Sequence, residues 1–476
     1  MLVEFIKFLG FAPPSGLLFS AQMILLLVMI YFGIKRGGIA LGMIGGFGTF
    51  LLFLLFGCKP GSPPIDVMLI ILAVVLAAST LQAVGGLDYM VQVAERILRK
   101  NPKYVSVLAP FVTYFFTMLI GTGHGIYALQ PVIFDVAYKT GVRPERAMAG
   151  SSVSSQIGIT ASPLSAAIVG GVAKLHDAAF SSGYSHVTVA DVLFITIPAT
   201  FIGVCAVAAF SYFRGKELPD DEEFQKRLQN PEFRKNLEGS GASVLDAKIP
   251  TQSKVSVGFF MIAILMVIGL AMFGDNLAPY LGYSGKVNMT VMLQVIMLAC
   301  AAFIIFYTGI IPKKISDSSV FNAGTIAVCT IFGIAMMSET VIEANKPFLI
   351  ETIGAMARAA PWTFAIAMFT VSAFLKSQGA CIAIMVPLGM TLGLPADVIV
   401  GAIPACYAYF FFPFYPSDLA AINFDRTGTT HIGKYLLNHS FMLPGLIGVG
   451  LGCVVARILA GIFISSPEIV RVAAGG

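Results

Sequence analysis

Four short stretches of this sequence mix glycine, proline and small polar residues inside apolar surroundings, and chemistry is expected there. They are Gly121-Thr122-Gly123-His124-Gly125, Thr160-Ala161-Ser162-Pro163, Lys376-Ser377-Gln378-Gly379 and the run 413–418, which ends Tyr415-Pro416-Ser417-Asp418. The sequence contains no Walker loop, HExxH pair or nucleophile elbow, so the expected chemistry is binding rather than catalysis, with no cofactor and no metal. A helix broken inside an apolar medium leaves N–H groups open at one half-helix N-terminus and C=O groups at the other's C-terminus. The first attract anions and the second cations. Glycine lets a ligand approach the backbone, and Ser, Thr and Gln add neutral hydrogen bonds, so a carboxylate fits such a cup without an arginine.

Each stretch has a bland reading beside the functional one. His124 either donates to a carboxylate or carries a proton, or it caps a helix end. Lys376 either pairs with an acid or an anionic ligand, or extends to the membrane interface. Asp418 is the one carboxylate at its depth. It can hold a proton, bind a cation, pair with Lys376, or start a helix as a cap. Pro163 removes a backbone donor and loosens the turn at Thr160 and Ser162. Ser151, Ser152 and Ser154 read as small-residue helix packing. Asp135 is placed facing a cavity, and Glu339 and Glu343 at a solvated span end.

Composition fixes the surroundings. Of 476 residues 57% are hydrophobic and 12% charged, and the mean hydropathy is +0.86. A soluble domain carries about twice that charge, so a cytosolic enzyme and a nucleic-acid binder are excluded. The partner is the lipid bilayer. Seven cysteines, none at metal-ligand spacing, read as packing residues. Apolar runs near the ~20 residues a bilayer requires are 17–34, 39–57, 65–84, 189–213, 255–273, 287–311, 321–338 and 440–464, the first read as an uncleaved span. Segment 85–103 reads as an amphipathic interfacial helix. Lys35, Arg36, Arg96, Arg99, Arg143, Arg146, Lys313 and Lys314 fall on one side, the cytoplasm by the charge rule, provided that 104–140 turns back rather than crossing.

The polar stretch 214–254, with eight acidic and eight basic residues, reads as a cytoplasmic linker, partly helical over 220–237. It divides the chain into an N-terminal repeat, 1–213 (re-entrant hairpin 104–140, broken helix 144–172), and a C-terminal repeat, 255–476 (re-entrant hairpin 362–393, broken helix 396–424). Gly121 leads to Pro131 as Ser377 leads to Pro387, ten residues on in each case. The fold expected is all-α and polytopic, with two inverted-topology repeats, as in secondary transporters. An ion-coupled symporter driven by protons or sodium, an anion channel and a nutrient sensor are the alternatives.

GTGHG, RPERAMAGSSVSSQIGITASPLSAA, FRGKELPDDEEFQKR and PACYAYFFFPFYPSDLAAINFDRTGTTHIGKYLLNHSFMLPGLIGV together resemble the Dcu family of anaerobic C4-dicarboxylate transporters, most nearly its DcuB type, over nearly the whole chain. The resemblance implies exchange of fumarate, malate or aspartate for succinate across a bacterial inner membrane during fumarate respiration. It also implies the elevator-type architecture of the ion-transporter superfamily, a homodimer, and in some members a membrane sensor kinase as partner. Phe414 stands where the family pattern has threonine.

Overall fold

The structure, a computed structural model, describes residues 14–464 apart from 37, 64, 177–183, 185, 238–244, 246–247, 278–279, 281, 283–288, 350, 352–358, 376, 414 and 434–436. The regular elements among the described residues are helical. In chain order the first group is α1 (Ser15–Arg36), α2 (Ala40–Phe56), α3 (Ile65–Ala83), α4 (Gly86–Lys100), α5 (Val105–Ile120), α6 (Ile126–Lys139), α7 (Pro144–Ile157), α8 (Ala166–Leu175) and α9 (Val189–Phe213). The linker holds α10 (Glu222–Leu228) and α11 (Pro231–Leu237). The second group is α12 (Thr251–Leu277), α13 (Met289–Thr308), α14 (Pro312–Ser316), α15 (Ser319–Ala344), α16 (Lys346–Leu349), α17 (Trp362–Leu375), α18 (Gln378–Thr391), α19 (Ala396–Gly401), α20 (Pro416–Phe424) and α21 (Met442–Phe463). Among the described residues eight helices are long and apolar enough to cross a membrane, or nine if the bent pair α3–α4 is counted.

Local chemistry explains the helix ends. Gly121 stops α5 with φ +80° and returns its N–H to Thr117 O at 2.8 Å, a left-handed cap natural to glycine. Gly85, at φ +77°, begins α4, which lies 75° from α3. Thr188 and Asp191 form a reciprocal capping box that starts α9. The partly helical stretch expected over 220–237 holds two short helices, because Pro231 cannot donate to the preceding turn and opens α11.

The helices sort into two bodies. In one, α1 packs on α2, α2 on α15, α15 on α3, α3 on α13 and α13 on α12. Glycine makes its tightest crossing: a Cβ on Gly42 would lie 1.9 Å from Cys329 O, and one on Gly333 1.7 Å from Gly42 O. The second body holds α5 to α9 and α17 to α21, with α9 packed along α21 and α5 along α7. The bodies meet where α8 touches α3 and α18 touches α15. On that seam Lys174 of α8 stands 4.0 Å from Glu339 of α15, so Glu339 is more than the solvated span end expected.

Two ionic clusters anchor the connections. Arg99 on α4 pairs with Glu95 at 2.6 Å and with Asp135 on α6 at 2.8 Å, and Lys139 joins Asp135 at 2.9 Å. Asp135 therefore faces α4, not a cavity, and Arg99 is not simply a solvated face. At the same end Arg146 pairs with Glu217 (2.6 Å), and Arg214 with the buried Glu145 (2.7 Å). These contacts fasten the start of the linker to the second body.

Candidate functional site

The second body contains two chain reversals and two breaks. At the first reversal α5 ends at Gly121, and a single 3-10 turn, Gly123–Gly125, leads into α6. At the second, Ser377 caps α18 and its hydroxyl accepts from Ala380 N at 3.3 Å. The first break runs from the end of α7 through a 3-10 turn, Gly158–Ala161, to α8, where the Ser165 hydroxyl accepts from Ile168 N at 3.2 Å. The second runs from α19 through Ile403–Cys406 to α20, opened by Pro416.

A cavity of about 470 Å³ lies between the two bodies. One wall carries Gly121, Thr122 and Gly123, then Ser377, Gln378 and Gly379, with Leu164, Ala166, Ala167, Tyr409, Tyr415 and Pro416. The facing wall is side chains of α2, α3 and α15, among them Leu41, Val74, Val75, Val320, Ala323 and Ala327. Three helix N-termini reach the first wall: α8 at Ala166 and Ala167, α18 at Gln378 and Gly379, and α20 at Pro416. The first N–H groups of a helix lack intrahelical acceptors. Ser165 and Ser377 satisfy those of Ile168 and Ala380, leaving donors one and two residues earlier at the cavity edge. Partial positive charge from separate helices then converges on one space, a setting that suits an anion with more than one charged group.

Of the residues singled out in the sequence, Gly121, Thr122, Gly123, Ser377, Gln378, Gly379, Tyr415 and Pro416 line the cavity together. Thr160, Ala161, Ser162 and Pro163 lie buried behind it. The Thr160 hydroxyl donates to Ile157 O (3.0 Å), and that of Ser162 accepts from Leu164 N (3.2 Å). Leu164, Ala166 and Ala167 stand at the edge instead. The His124 side chain and all of Lys376 lie outside the described residues, as does Phe414.

Ser417 and Asp418 begin α20 beneath the cavity and bind α7. Ser152 Oγ donates to Asp418 Oδ1 at 2.7 Å and approaches Ser417 Oγ at 3.2 Å. Ser152 is thus more than a packing residue. Gln130 of α6 donates to Ser417 O at 2.8 Å. The side chain of Gln378 is engaged within the second body: its Nε2 donates to Gln156 O (2.7 Å) and to Tyr409 OH (3.3 Å).

Gln156, Tyr409, Gln130, Ala166 and Ala167 were not selected from the sequence. Ser165 three residues before Ile168 is a cap signal that would have exposed the α8 terminus. Gln156 carried no signal of its own within SSVSSQIG.

Comparison with known proteins gives the family. The family described as anaerobic C4-dicarboxylate membrane transporter, DcuA_DcuB, matches residues 18–464. The chain is 47% identical to the anaerobic C4-dicarboxylate transporter DcuB of Escherichia coli O6:H1, over 94% of this chain and 99% of that one. It is 36% identical to C4-dicarboxylate transporter DcuA of Escherichia coli K12 (90% and 96% covered) and 35% identical to DcuA of Wolinella succinogenes (92% and 99%). The solved YdaH transporter of Alcanivorax borkumensis, described as having an unusual topology, shares the fold at TM-score 0.55 and 14% identity, covering 96% of this chain and 99% of that one. The chain therefore belongs to the DcuA/DcuB family of anaerobic C4-dicarboxylate membrane transporters, as a DcuB-like, multi-pass inner-membrane transporter and not an enzyme.

Proposed function

We propose that the protein exchanges C4-dicarboxylates, taking in fumarate, malate or aspartate and releasing succinate. The observation that carries this reading is the convergence of both chain reversals and three helix N-termini on one cavity between the two bodies. Backbone donors at Gln378 and Gly379 take one carboxylate, those of the Gly121–Gly123 turn with Ala166 and Ala167 take the other, and the apolar facing wall takes the carbon chain. The two halves, 1–213 and 255–476, are read as inverted repeats around the linker, with α5–α6 and α17–α18 as re-entrant hairpins and α7–α8 and α19–α20 as broken spans. The hairpin-bearing body slides past α1, α2, α3, α12, α13 and α15 as an elevator, within a homodimer.

The cavity extends to Gly33, Gly38 and Val320, near Lys35, Arg36, Lys313 and Lys314. By the charge rule that is the cytoplasmic side, so this state faces inward. Exchange is obligatory if the empty cup, with open N–H groups, meets too large a desolvation penalty to cross the apolar wall.

The test is counterflow. Proteoliposomes loaded with succinate should accumulate labelled fumarate at least tenfold faster than empty ones. Equal uptake into empty vesicles, with no ion gradient, defeats exchange. Asp418, buried at the α20 N-terminus against Ser152, favours a second reading, symport with a proton or sodium. Uptake into empty vesicles driven by an imposed gradient of either ion would support it.

A further inference from the structure

One residue touches both chain reversals and the second break. Gln156 is in the last turn of α7, just before the first break. Its Oε1 accepts from Tyr409 OH at 2.6 Å, and Tyr409 belongs to the second break. Its main-chain O accepts from Gln378 Nε2 at 2.7 Å, at the second reversal. A Cβ on Gly123, at the first reversal, would lie 2.3 Å from Gln156 Nε2, so that tip rests directly on the amide. Nε2 also approaches Ser417 Oγ at 3.5 Å.

The hydrogen bonding fixes directions. A tyrosine hydroxyl has one hydrogen, and Tyr409 gives it to Gln156. Its oxygen then accepts from Gln378 at 3.3 Å. Both Gln378 amide hydrogens are engaged, one on Tyr409 and one on Gln156. The Tyr409 ring is held by Tyr407 (4.9 Å between centroids) and Tyr415 (4.3 Å). Gln156, Tyr409 and Gln378 are each 3% exposed or less, so water does not compete for these bonds.

We propose that Gln156 and Tyr409 are positioning residues that act as a spacer between the two tips, setting the distance between the two carboxylate receptors and hence the length of diacid accepted. The spacer rests on the dicarboxylate reading above. Gly123 is on one side of it and Gln378 on the other. Without it, the N–H groups of Gln378 and Gly379 lose their fixed separation from Gly121–Gly123, and discrimination between four- and five-carbon diacids relaxes.

The test compares wild type, Tyr409→Phe and Gln156→Ala, as full chains in proteoliposomes. Labelled succinate counterflow is competed with unlabelled succinate or glutarate. Tyr409→Phe retains the ring between Tyr407 and Tyr415 and removes only the hydroxyl, so it guards against a folding failure in Gln156→Ala. The expected result is at least a fivefold rise in the apparent KM for succinate and at least a fivefold gain of glutarate relative to succinate, with the maximal rate within about twofold. Unchanged KM and unchanged preference in both variants overturn the spacer. Wild type with no succinate counterflow overturns the dicarboxylate reading instead. The spacer is then judged by amide hydrogen exchange: Tyr409→Phe should speed exchange across 377–381 at least fivefold and leave α9 and α21 unchanged, and no change at 377–381 overturns it.

Discussion

The two walls of the cavity are built on opposite plans. On the side of the two reversals the backbone is interrupted at Gly121, at 158–165, at Ser377 and at 407–413, and polar groups face the space. On the opposite side α3 and α15 run unbroken, and Val74, Val75, Ala323 and Ala327 present a surface without charge. Unpaired backbone groups are costly in an apolar medium, so the broken wall is where a polar ligand repays the disruption. In the proposed reading the continuous apolar wall meets only the carbon chain of the substrate and gives the other body a surface to slide along.

This contrast can be broken from either side. The largest effect is expected from Gly121→Val. Gly121 has φ +80°, and a Cβ there would lie 2.9 Å from Leu164 Cβ. A β-branched residue in the left-handed region costs roughly 1–2 kcal/mol before any clash. Counterflow should fall more than 100-fold with the protein still inserted, as measured by succinate exchange and membrane yield. Next, Ala327→Asp gives the smooth wall a carboxylate. Repulsion of a dianionic substrate should reduce exchange about 30-fold, whereas Ala327→Val should leave it within twofold. Ser152→Ala removes the donor 2.7 Å from Asp418. A hydrogen bond to a charged group contributes roughly 1.5–3 kcal/mol, so transport should drop about tenfold, with thermal stability lowered as well.

The smallest effect lies away from the cavity. His439, in the loop before α21, has its pKa lowered to about 4 by burial, assisted by the Arg214 charge and opposed by the Phe411 carbonyl. The unfolded chain, titrating near 6.5, binds the proton first. Stability from this group is therefore complete above that value and is lost as pH falls toward 4. The melting temperature should decline over that window, and His439→Gln should flatten part of the slope.

Much of this arrangement was legible because membrane helices announce their interruptions. Glycine, proline and small polar residues at 121–125 and 413–418 stand out against apolar runs, and the span 189–213 coincides with α9 because Thr188 and Asp191 mark its start. What escaped was tertiary. Ala166 and Ala167 contribute backbone N–H groups, which have no side-chain signature. Asp135 meets Arg99 only because α4 folds back 75° from α3 and lies along α6. Gln156 is one polar residue among several on α7, and only the meeting of Gly123, Tyr409 and Gln378 around it distinguishes it.

The most direct test of the binding wall is a density map of the protein with succinate. The account predicts one carboxylate within hydrogen-bond distance of Gln378 N or Gly379 N, the other at Ala166, Ala167 or the Gly121–Gly123 turn, and the carbon chain toward Ala327. Succinate bound elsewhere, or held by side chains with those backbone donors untouched, would contradict it.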